Sequence, residues 1–454
     1  MSFFRSEHLP AVTFALSLLW HPISVALVDC IIPARLKLKP AREKSIGSPR
    51  CDDYTVLIPI FGHIKYLKNV DFLAPYGGKV VFCTTDQETP EFERALQAIA
   101  DRHGFRIFRS GVAWASGRPK GSPRDNLDVL GPSRPGERYS TWPSSQAGTP
   151  NPWKLLSRTL DSRAGTRVTS GTERDRIIRD SFANVRTAFT IFLDGDTVAT
   201  EELDLLAGAA RDGGYDIASV RVLASKTVTL AEKLQAVEYE SAMDARRVYP
   251  WLTSGACLIG KTRALQSIMH HHSLFFSGGD IEIGKLAKIL KYSVGHIPFE
   301  LYTDVPETLR AWFKQRMAWC GGGFRHAIVN SHRYSWRHPF FYLYTTVIVY
   351  ALTPLRWYEL LTHPQVLLLV IPLYWLLTIA INWGKLHWHL ALYPFYSLVQ
   401  VMVLVPLGIY TYIRMVMHSR NTGRIRLRPR HQAQWGRSTR RLRPTPQLQG
   451  QAGR

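Results

Sequence analysis

The sequence predicts an α/β domain with a mixed, mostly parallel sheet, followed by transmembrane helices. Between residues 54 and 220, short runs rich in β-branched and apolar side chains alternate with helical or loop segments, which is typical of a layered α/β domain. In the C-terminal third, apolar stretches carry hardly a charge and are long enough to cross the ~30 Å hydrocarbon core of a bilayer. The 454 residues suffice for one domain of ordinary size plus such a membrane region.

Five runs in the first part of the chain are predicted strands. They cover residues 54–59, 79–83, 105–108, 189–193 and 215–220. A ligand is expected at the carboxyl ends of such strands. Residues 116–152 interrupt the pattern, because they are dense in Gly, Pro, Ser and Arg and lack apolar periodicity. They are predicted to form a flexible insertion.

Three apolar stretches, 339–361, 365–383 and 390–412, are predicted to span a membrane. Buried core helices are the alternative, but Trp and Tyr near the ends of the stretches favour a membrane. A fourth apolar stretch, 11–32, precedes a basic segment and is predicted to be an anchor or interfacial helix, with a cleaved signal peptide as the alternative. The basic flank predicts that the chain after it lies in the cytoplasm.

The charge distribution and the cysteine content indicate which binding partners, disulfides and metal sites to expect. The formal net charge is +22, and the tail after residue 419 is rich in Arg and has no Asp or Glu. Next to a membrane helix, such a tail is expected to contact anionic lipid rather than nucleic acid. The five cysteines form no C-x-x-C pair, so neither a disulfide framework nor a zinc site is predicted.

Two acids, Asp194 and Asp196, directly follow the predicted strand 189–193. Alternate residues of an extended segment point the same way, so both carboxylates can act on one bound group. Carboxylate oxygens suit Mg²⁺ or Mn²⁺, which usually bridges protein acids to substrate phosphates. An ordinary Asp-Gly-Asp turn without a bound group is the alternative.

Four sequence pieces occur in order around these acids. They are the opening strand 56–59, the pair Asp194 and Asp196, the Ser254-Gly255-Ala256 segment that continues to Leu265, and Gly278-Gly279-Asp280 followed by Gln315-Arg-Met-Ala-Trp319. In this order they resemble the processive branch of the inverting glycosyltransferase family two, which includes cellulose, chitin and hyaluronan synthases. The resemblance covers residues 54–324 and implies a nucleotide-sugar-binding fold of the GT-A type.

The resemblance implies roles for three acids on the donor side. Asp86, after the second predicted strand, would lie near the base and ribose of a UDP-sugar. Asp194 would support the nucleotide, and Asp196 would ligate the metal, Mg²⁺ or Mn²⁺. This agrees with the chemistry, because a metal at Asp196 would stabilise the charge of the departing diphosphate. A turn or helix cap is the alternative role for Asp86.

Asp280 is the predicted general base, which takes the proton of the acceptor hydroxyl. It lies in a Gly-rich segment before a predicted helix, 281–290, and such a segment allows close approach of the backbone to a substrate. The family carries a second acid just before the base, whereas this chain has Gly279, and one carboxylate suffices to remove the proton. Glu282 is the second candidate base, and capping the helix is the alternative role for Asp280.

The next predicted helix carries the residues of the acceptor side. Asp304 is expected as its N-cap, with Glu307 at the capping-box position, and the glycines at 321–323 are expected to end it. Gln315 and Trp319 lie four residues apart and share a face. The resemblance implies that Trp319 stacks beneath the acceptor sugar. A Trp that anchors the helix at a membrane interface is the alternative.

The resemblance also implies an acceptor-site turn and a phosphate contact. Ser254 and Gly255 would form the turn. The family has an arginine where this chain has Ala318, and that cation would ordinarily help to hold the diphosphate. On a helix, Lys314 lies one turn before Ala318 on nearly the same face, whereas Arg316 points about 160° away. Lys314 is therefore the first candidate for the missing charge, and Arg316 is the second.

These features predict five regions. They are an anchor with a basic linker (1–50), the transferase domain (51–305), an interfacial helix region (306–335), a transmembrane region (336–418) and a basic tail (419–454). The predicted activity is metal-dependent, inverting transfer of a sugar from a nucleotide-sugar to a growing polysaccharide, such as a cell-wall polymer. The predicted place is the cytoplasmic face of the cell membrane, with export of the product.

Three alternatives stay open. An enzyme that glycosylates a lipid acceptor once would use the same three acids. A transporter would use the apolar helices but would not need the acids, and an inactive partner subunit would explain Gly279 and Ala318. The sugar, the linkage and the number of chains in the complex are not predicted.

Overall fold

The computed structural model of the chain describes residues 49–86, 88–110, 170–182, 185–272, 278–328, 350–351, 353–383 and 387–422. The predicted N-terminal stretch 11–32 and the insertion 116–152 lie outside these residues, as does the basic tail from residue 423. The first C-terminal apolar stretch, 339–361, is described only in its second half.

A mixed sheet forms the centre of the α/β domain, as predicted. Its strands are β1 (Tyr54–Pro59), β2 (Val80–Thr85), β3 (Arg106–Ser110), β4 (Phe189–Leu193), β5 (Val198–Ala199), β6 (Ile217–Ala224), β7 (Cys257–Lys261) and β8 (Val294–Thr303). They are ordered β3-β2-β1-β4-β7-β6-β8-β5. The first four strands in this order are parallel, and β8 is parallel to β6. Strand β7 is antiparallel to β4 and β6, and β5 is antiparallel to β8.

The predicted strands fall within this sheet. Those at 54–59 and 189–193 match β1 and β4, and the other three overlap β2, β3 and β6 with shifted ends. Strand β7, just after the predicted acceptor-site turn of Ser254 and Gly255, was not among the predicted strands. Because β1, β2 and β4 run the same way, their carboxyl ends lie at one edge of the sheet.

Helices cover both faces of the sheet. The α-helices of the described residues are α1 (Val70–Leu73), α2 (Pro90–His103), α3 (Ser170–Ser181), α4 (Leu203–Asp212), α5 (Leu230–Val248), α6 (Thr262–His271), α7 (Gly279–Ile289), α8 (Leu309–Ile328), α9 (Thr353–Thr362), α10 (Leu367–Ile381), α11 (Tyr393–Val399) and α12 (Val405–Thr422). Side chains alternate along β1, so Val56 and Ile58 pack on one face and Leu57 packs on the other. Buried side chains of α2 and α4 join the first face, and those of α3, α6 and α7 join the second.

Helix α8 begins later than predicted. Its first residue is Leu309, and the Thr308 hydroxyl accepts a hydrogen bond from the Ala311 N–H at 3.3 Å. Thr308 therefore caps the helix. Asp304, the predicted N-cap, instead accepts a hydrogen bond from Lys68 Nζ at 2.5 Å.

Helix α8 also ends later than predicted. The glycines at 321–323 lie inside the helix, which continues to Ile328. They lie at a close contact with α12, because a Cβ added at Gly408 would be only 2.7 Å from the Cβ of Cys320. Small residues at a helix crossing let two backbones approach each other, so these glycines support packing instead of ending the helix.

Among the described residues, one helix is long and apolar enough to cross a membrane. It runs over Trp388–Arg414 and has 27 residues. The second predicted span forms α10, whose 15 residues reach only about 22 Å. The prediction of several spans is therefore not supported by the part of the chain that the structure describes.

A π-helical segment, Gln400–Leu404, precedes Pro406 in the long helix. A proline removes the hydrogen bond to the carbonyl four residues earlier, which here is that of Met402. The indole N–H of Trp357 donates to this carbonyl at 2.8 Å. The freed acceptor is thus satisfied, and the same contact attaches α9 to the long helix.

Candidate active site

The Asp194-Gly195-Asp196 turn is fixed by the loop after β1. The buried Asn69 side chain donates from Nδ2 to the carbonyls of Asp194 at 3.0 Å and Thr197 at 2.8 Å. The backbone N–H of Asn69 bonds to the Gly195 carbonyl at 3.2 Å. The turn therefore holds both acids at the carboxyl end of β4, where a ligand is expected.

Arg174, in α3, links the first acid to the predicted acceptor-site turn. Its Nη2 donates to Asp194 Oδ1 at 2.7 Å and to the Gly255 carbonyl at 2.5 Å. Burial raises the pKa of Asp194, the attraction of Arg174 opposes that shift, and the Asp280 carboxylate adds to it. One guanidinium therefore lies within the field of two acids.

Asp280 lies in the first turn of α7 and faces the same guanidinium. A Cβ added at Gly255 would be 3.6 Å from Asp280 Oδ2 and 3.4 Å from Arg174 Nη1. The N-cap of α7 is Gly278, with a φ of 92°, so the Asp280 carboxylate does not serve as the cap. The Thr253 hydroxyl donates to the Asp280 carbonyl and fixes this turn.

Asp196 faces hydroxyl groups. Its Oδ1 accepts hydrogen bonds from the hydroxyls of Thr303 at 3.2 Å and Thr197 at 3.4 Å. Burial and then repulsion from Asp194 raise the pKa of Asp196 to about 6. No group of three or more His, Cys, Asp or Glu side chains that could hold a metal alone occurs in the described part of the chain. One carboxylate of this kind fits a Mg²⁺ or Mn²⁺ ion whose other ligands are substrate phosphates and water.

Asp86 follows β2 at the same edge of the sheet. Its side chain is exposed, and its backbone N–H bonds to the Ser110 carbonyl at 3.0 Å. The nearby acid Glu88 is engaged in the protein, because it accepts from Gly62 N–H at 3.1 Å and from the Thr85 hydroxyl at 3.3 Å. Asp86 therefore presents its carboxylate to solvent at the edge where the nucleotide is expected.

The acceptor side has an aromatic surface between α5 and α8. The rings of Tyr239 and Trp319 have centroids 6.5 Å apart, and Trp319 is 45% exposed. The Arg316 guanidinium lies 4.1 Å from the Trp319 ring centroid and forms an ion pair with Glu238 at 2.8 Å. Gln315 Oε1 accepts from Arg316 Nη1 at 2.5 Å. Arg316 thus supports Trp319 from within the protein.

The two candidates for the cation missing at Ala318 differ in their surroundings. Arg316 is 2% exposed and is paired with Glu238, whereas Lys314 is exposed. The guanidinium that contacts Asp194 belongs to Arg174, which the sequence did not predict.

A local signal for α3 was present in the sequence. Ile177, Ile178 and Phe182 are apolar at helical spacing, and all three are buried against the sheet. Their pattern indicates a helix between the predicted insertion and β4. It does not indicate that Arg174, on that helix, reaches Asp194.

A model of the family described as glycosyl transferase family group 2 matches residues 189–417. The match begins at β4 and includes Asp194, Asp196, Asp280 and helix α8. The chain belongs to this family. The match therefore confirms a glycosyltransferase of family 2, and it does not distinguish a processive from a non-processive branch.

Three solved structures are similar to this glycosyltransferase. The mannosyltransferase PcManGT from Pyrobaculum calidifontis, in complex with GDP-Man and Mn²⁺, shares 11% identity at a TM-score of 0.46 and covers 91% of this chain and 97% of that one. TarS from S. aureus shares 11% identity at a TM-score of 0.34, covering 79% and 55%. Glucosyl-3-phosphoglycerate synthase from Mycobacterium tuberculosis, in complex with Mn²⁺, UDP and glucosyl-3-phosphoglycerate, shares 10% identity at a TM-score of 0.30, covering 64% and 80%. No curated protein sequence matches the chain.

Proposed function

We propose that this glycosyltransferase moves a sugar from a nucleotide-sugar to an acceptor hydroxyl, with inversion at the anomeric carbon. The observation that carries the proposal is the meeting of Asp194, Arg174 and Asp280 at Gly255. The reaction needs a base for the acceptor and a cation for the leaving group. Both kinds of group lie within this one site.

In the proposed mechanism, Asp280 takes the proton of the acceptor hydroxyl as its oxygen attacks the anomeric carbon. The bond between this carbon and the phosphate oxygen of the donor breaks, and the nucleoside diphosphate leaves with the electron pair. Arg174 stabilises the negative charge that develops on the diphosphate. A divalent cation held by Asp196 would supply Lewis-acid stabilisation of the same charge.

Further residues are proposed to bind the two substrates. Asp86 and Asp194 are proposed contacts of the nucleotide, with UDP as the first candidate, and Lys314 is a second proposed contact of the diphosphate. On the acceptor side, the exposed ring of Trp319 offers a flat apolar surface to the face of a sugar ring. The proposed polar contacts of this sugar are Gln315, Ser254 and Gly255.

The acceptor is proposed to be a growing polysaccharide at the cytoplasmic face of the cell membrane, with export of the product. Helix α8, which carries Trp319, packs along α12. The first part of α12 belongs to the apolar helix Trp388–Arg414. Large apolar side chains of α10, including Leu368 and Leu376, are exposed, which supports contact with lipid. The same placement favours a membrane lipid as the second candidate acceptor.

The decisive experiment offers the purified protein a panel of UDP-sugars and GDP-sugars with Mg²⁺ or Mn²⁺. Nucleotide release and product size are measured together. A ladder of products indicates a polysaccharide, and a single product indicates one transfer to a lipid. The Asp280→Asn variant should bind the donor and transfer nothing. If the wild-type protein consumes no donor, the proposed function is wrong.

A further inference from the structure

The residue before the proposed base has a carboxylate in its side-chain space. A Cβ added at Gly279 would lie 1.9 Å from Oδ2 and 2.7 Å from Cγ of Asp175. Asp175 is 3% exposed and lies in α3, next to Arg174. Its carboxyl group therefore packs directly against the backbone that opens α7, and no side chain fits at 279 while Asp175 is in place.

Other contacts hold the same helix at short range. His272 Nε2 donates to the Gly279 carbonyl at 2.9 Å. One turn later, a Cβ added at Gly284 would be 1.9 Å from the Trp251 carbonyl oxygen. Because α7 is positioned by close backbone contacts, the position of Asp280 depends on the groups that pack against this turn.

Charge joins Asp175 to the site as well. Burial raises the pKa of Asp175, His272 and Arg174 oppose that shift, and Asp280 and then Glu282 add to it. The Arg174 guanidinium interacts with the carboxylates of Asp194, Asp175 and Asp280. The Asp175 carboxylate therefore also acts on the guanidinium that the proposed mechanism uses.

We propose that Asp175 is a positioning residue of the transferase site. Its carboxylate, supplied by α3, occupies the side-chain space of Gly279, fixes the turn that presents Asp280, and orients Arg174 between the acids. This role rests on the proposed function, in which Asp280 is the base. It gives a physical reason for the glycine at 279, because the acid beside Asp280 comes from a different helix.

The packing contact can be tested without turnover. Gly279→Ala should lower the Tm of the full-length protein, because the new methyl group overlaps the Asp175 carboxylate. In the Asp175→Ala background the same substitution should lower the Tm much less. Equal losses in both backgrounds would overturn the contact, whether or not a donor is found.

The effect of Asp175 on catalysis is tested by removing its charge and by moving the acid from position 175 to position 279. Asp175→Asn keeps the shape of the side chain but removes the charge that orients Arg174, so kcat should fall about a hundredfold, as when one group that stabilises the transition state is lost. The donor KM should stay within about twofold, because the role of Asp175 is exerted after the donor binds. The exchange Asp175→Gly with Gly279→Asp should recover most of the lost kcat. Asp175→Ala with Gly279→Ala, which restores packing without an acid, should stay slow.

Asp180→Asn is the matched control. Asp180 lies on the same helix but bonds to the Ser110 hydroxyl at 2.5 Å, away from Asp280, so its variant should keep the wild-type kcat. Full activity of Asp175→Asn, full activity of the paired alanine variant, or no recovery in the exchanged variant would each overturn the positioning role. An inactive wild-type protein would instead refute the proposed function and leave the Tm test decisive for the contact.

Discussion

Ionisation of the Asp196 carboxylate destabilises the folded protein. Burial and Asp194 raise its pKa from 3.8 to about 6, so folding favours the protonated form. The resulting destabilisation is absent at low pH and develops as the pH rises from about 4 to about 6. Without a divalent cation at neutral pH, we expect Asp196→Asn to stabilise the fold by roughly 1–3 kcal/mol, measured by denaturant unfolding.

A bound divalent cation should reverse the order of stability of the wild-type protein and the Asp196→Asn variant. Mg²⁺ or Mn²⁺ should raise the Tm of the wild-type protein and have little effect on Asp196→Asn. The affinity for the ion should weaken as the pH falls through about 6, because a proton then competes for Asp196. If both proteins respond equally to the ion, the metal is bound elsewhere.

Arg174 and Lys314 are the two candidates for the cation that stabilises the negative charge of the leaving diphosphate. Arg174 contacts Asp194 directly, whereas Lys314 is exposed on α8. We expect Arg174→Ala to lower kcat about a hundredfold, and Lys314→Ala to lower it much less. Arg174→Lys should be intermediate, because an ammonium keeps the charge but not the planar fork. A larger loss in Lys314→Ala would show that the cation comes from α8, as the sequence predicts.

The acids could be predicted from the sequence because each lies beside its own local signal. Asp194 and Asp196 follow an apolar strand, and Asp280 lies in a glycine-rich turn. Arg174 has no such signal for its role. It bonds to the carbonyl of Gly255, 81 residues away, and this contact exists only because β7 pairs with β4.

Glu238 joins three helices near Trp319. In α5 it forms the ion pair with Arg316 of α8, and it accepts a hydrogen bond from the Tyr396 hydroxyl of α11. Glu238→Gln would leave the buried Arg316 charge without its partner, which typically costs about 3–5 kcal/mol. We expect a lower Tm and a higher acceptor KM, since Trp319 loses its support, with the donor KM unchanged.

A second variant separates stability from recognition. Glu238→Gln combined with Arg316→Met removes both charges, and replacing a buried ion pair by an apolar residue is often close to neutral for stability. The Tm should therefore recover, while the acceptor KM stays high because the cation over the Trp319 ring is gone. Recovery of both quantities would mean that Arg316 does not position Trp319.

The C-terminal end of α8 shows why local sequence patterns do not predict where this helix ends. Glycine is a common helix end, so the run at 321–323 predicts a stop. In the folded protein these glycines lie where α8 meets Gly408 of α12, and the close contact stabilises a continuous helix. The partner lies more than eighty residues away in sequence, so the local pattern could not reveal it.

The parallel half of the sheet could be predicted from the sequence, whereas the order of the remaining strands could not. Strands β1 and β4 follow from compact apolar runs with clear ends. Strand β7 is short, and its antiparallel direction is set by its partners, with Leu258 opposite Phe192 on one side and Ser219 on the other. Such pairings join distant segments, and no single run of sequence encodes them.

We expect the protein to bind to a bilayer through the helix Trp388–Arg414. Val399 and Leu407 are exposed and lie within about 9 Å of the middle of this helix, so lysine at both positions should leave the fold intact. Each lysine near the bilayer centre should cost about 2.5–3.5 kcal/mol of insertion free energy. We expect the double variant to lose binding to phospholipid vesicles in a flotation assay while its Tm in detergent stays unchanged. Gln97→Lys, on the exposed side of α2, adds charge far from this helix and should float like the wild-type protein. Continued binding of the double variant would show that this helix does not enter the bilayer.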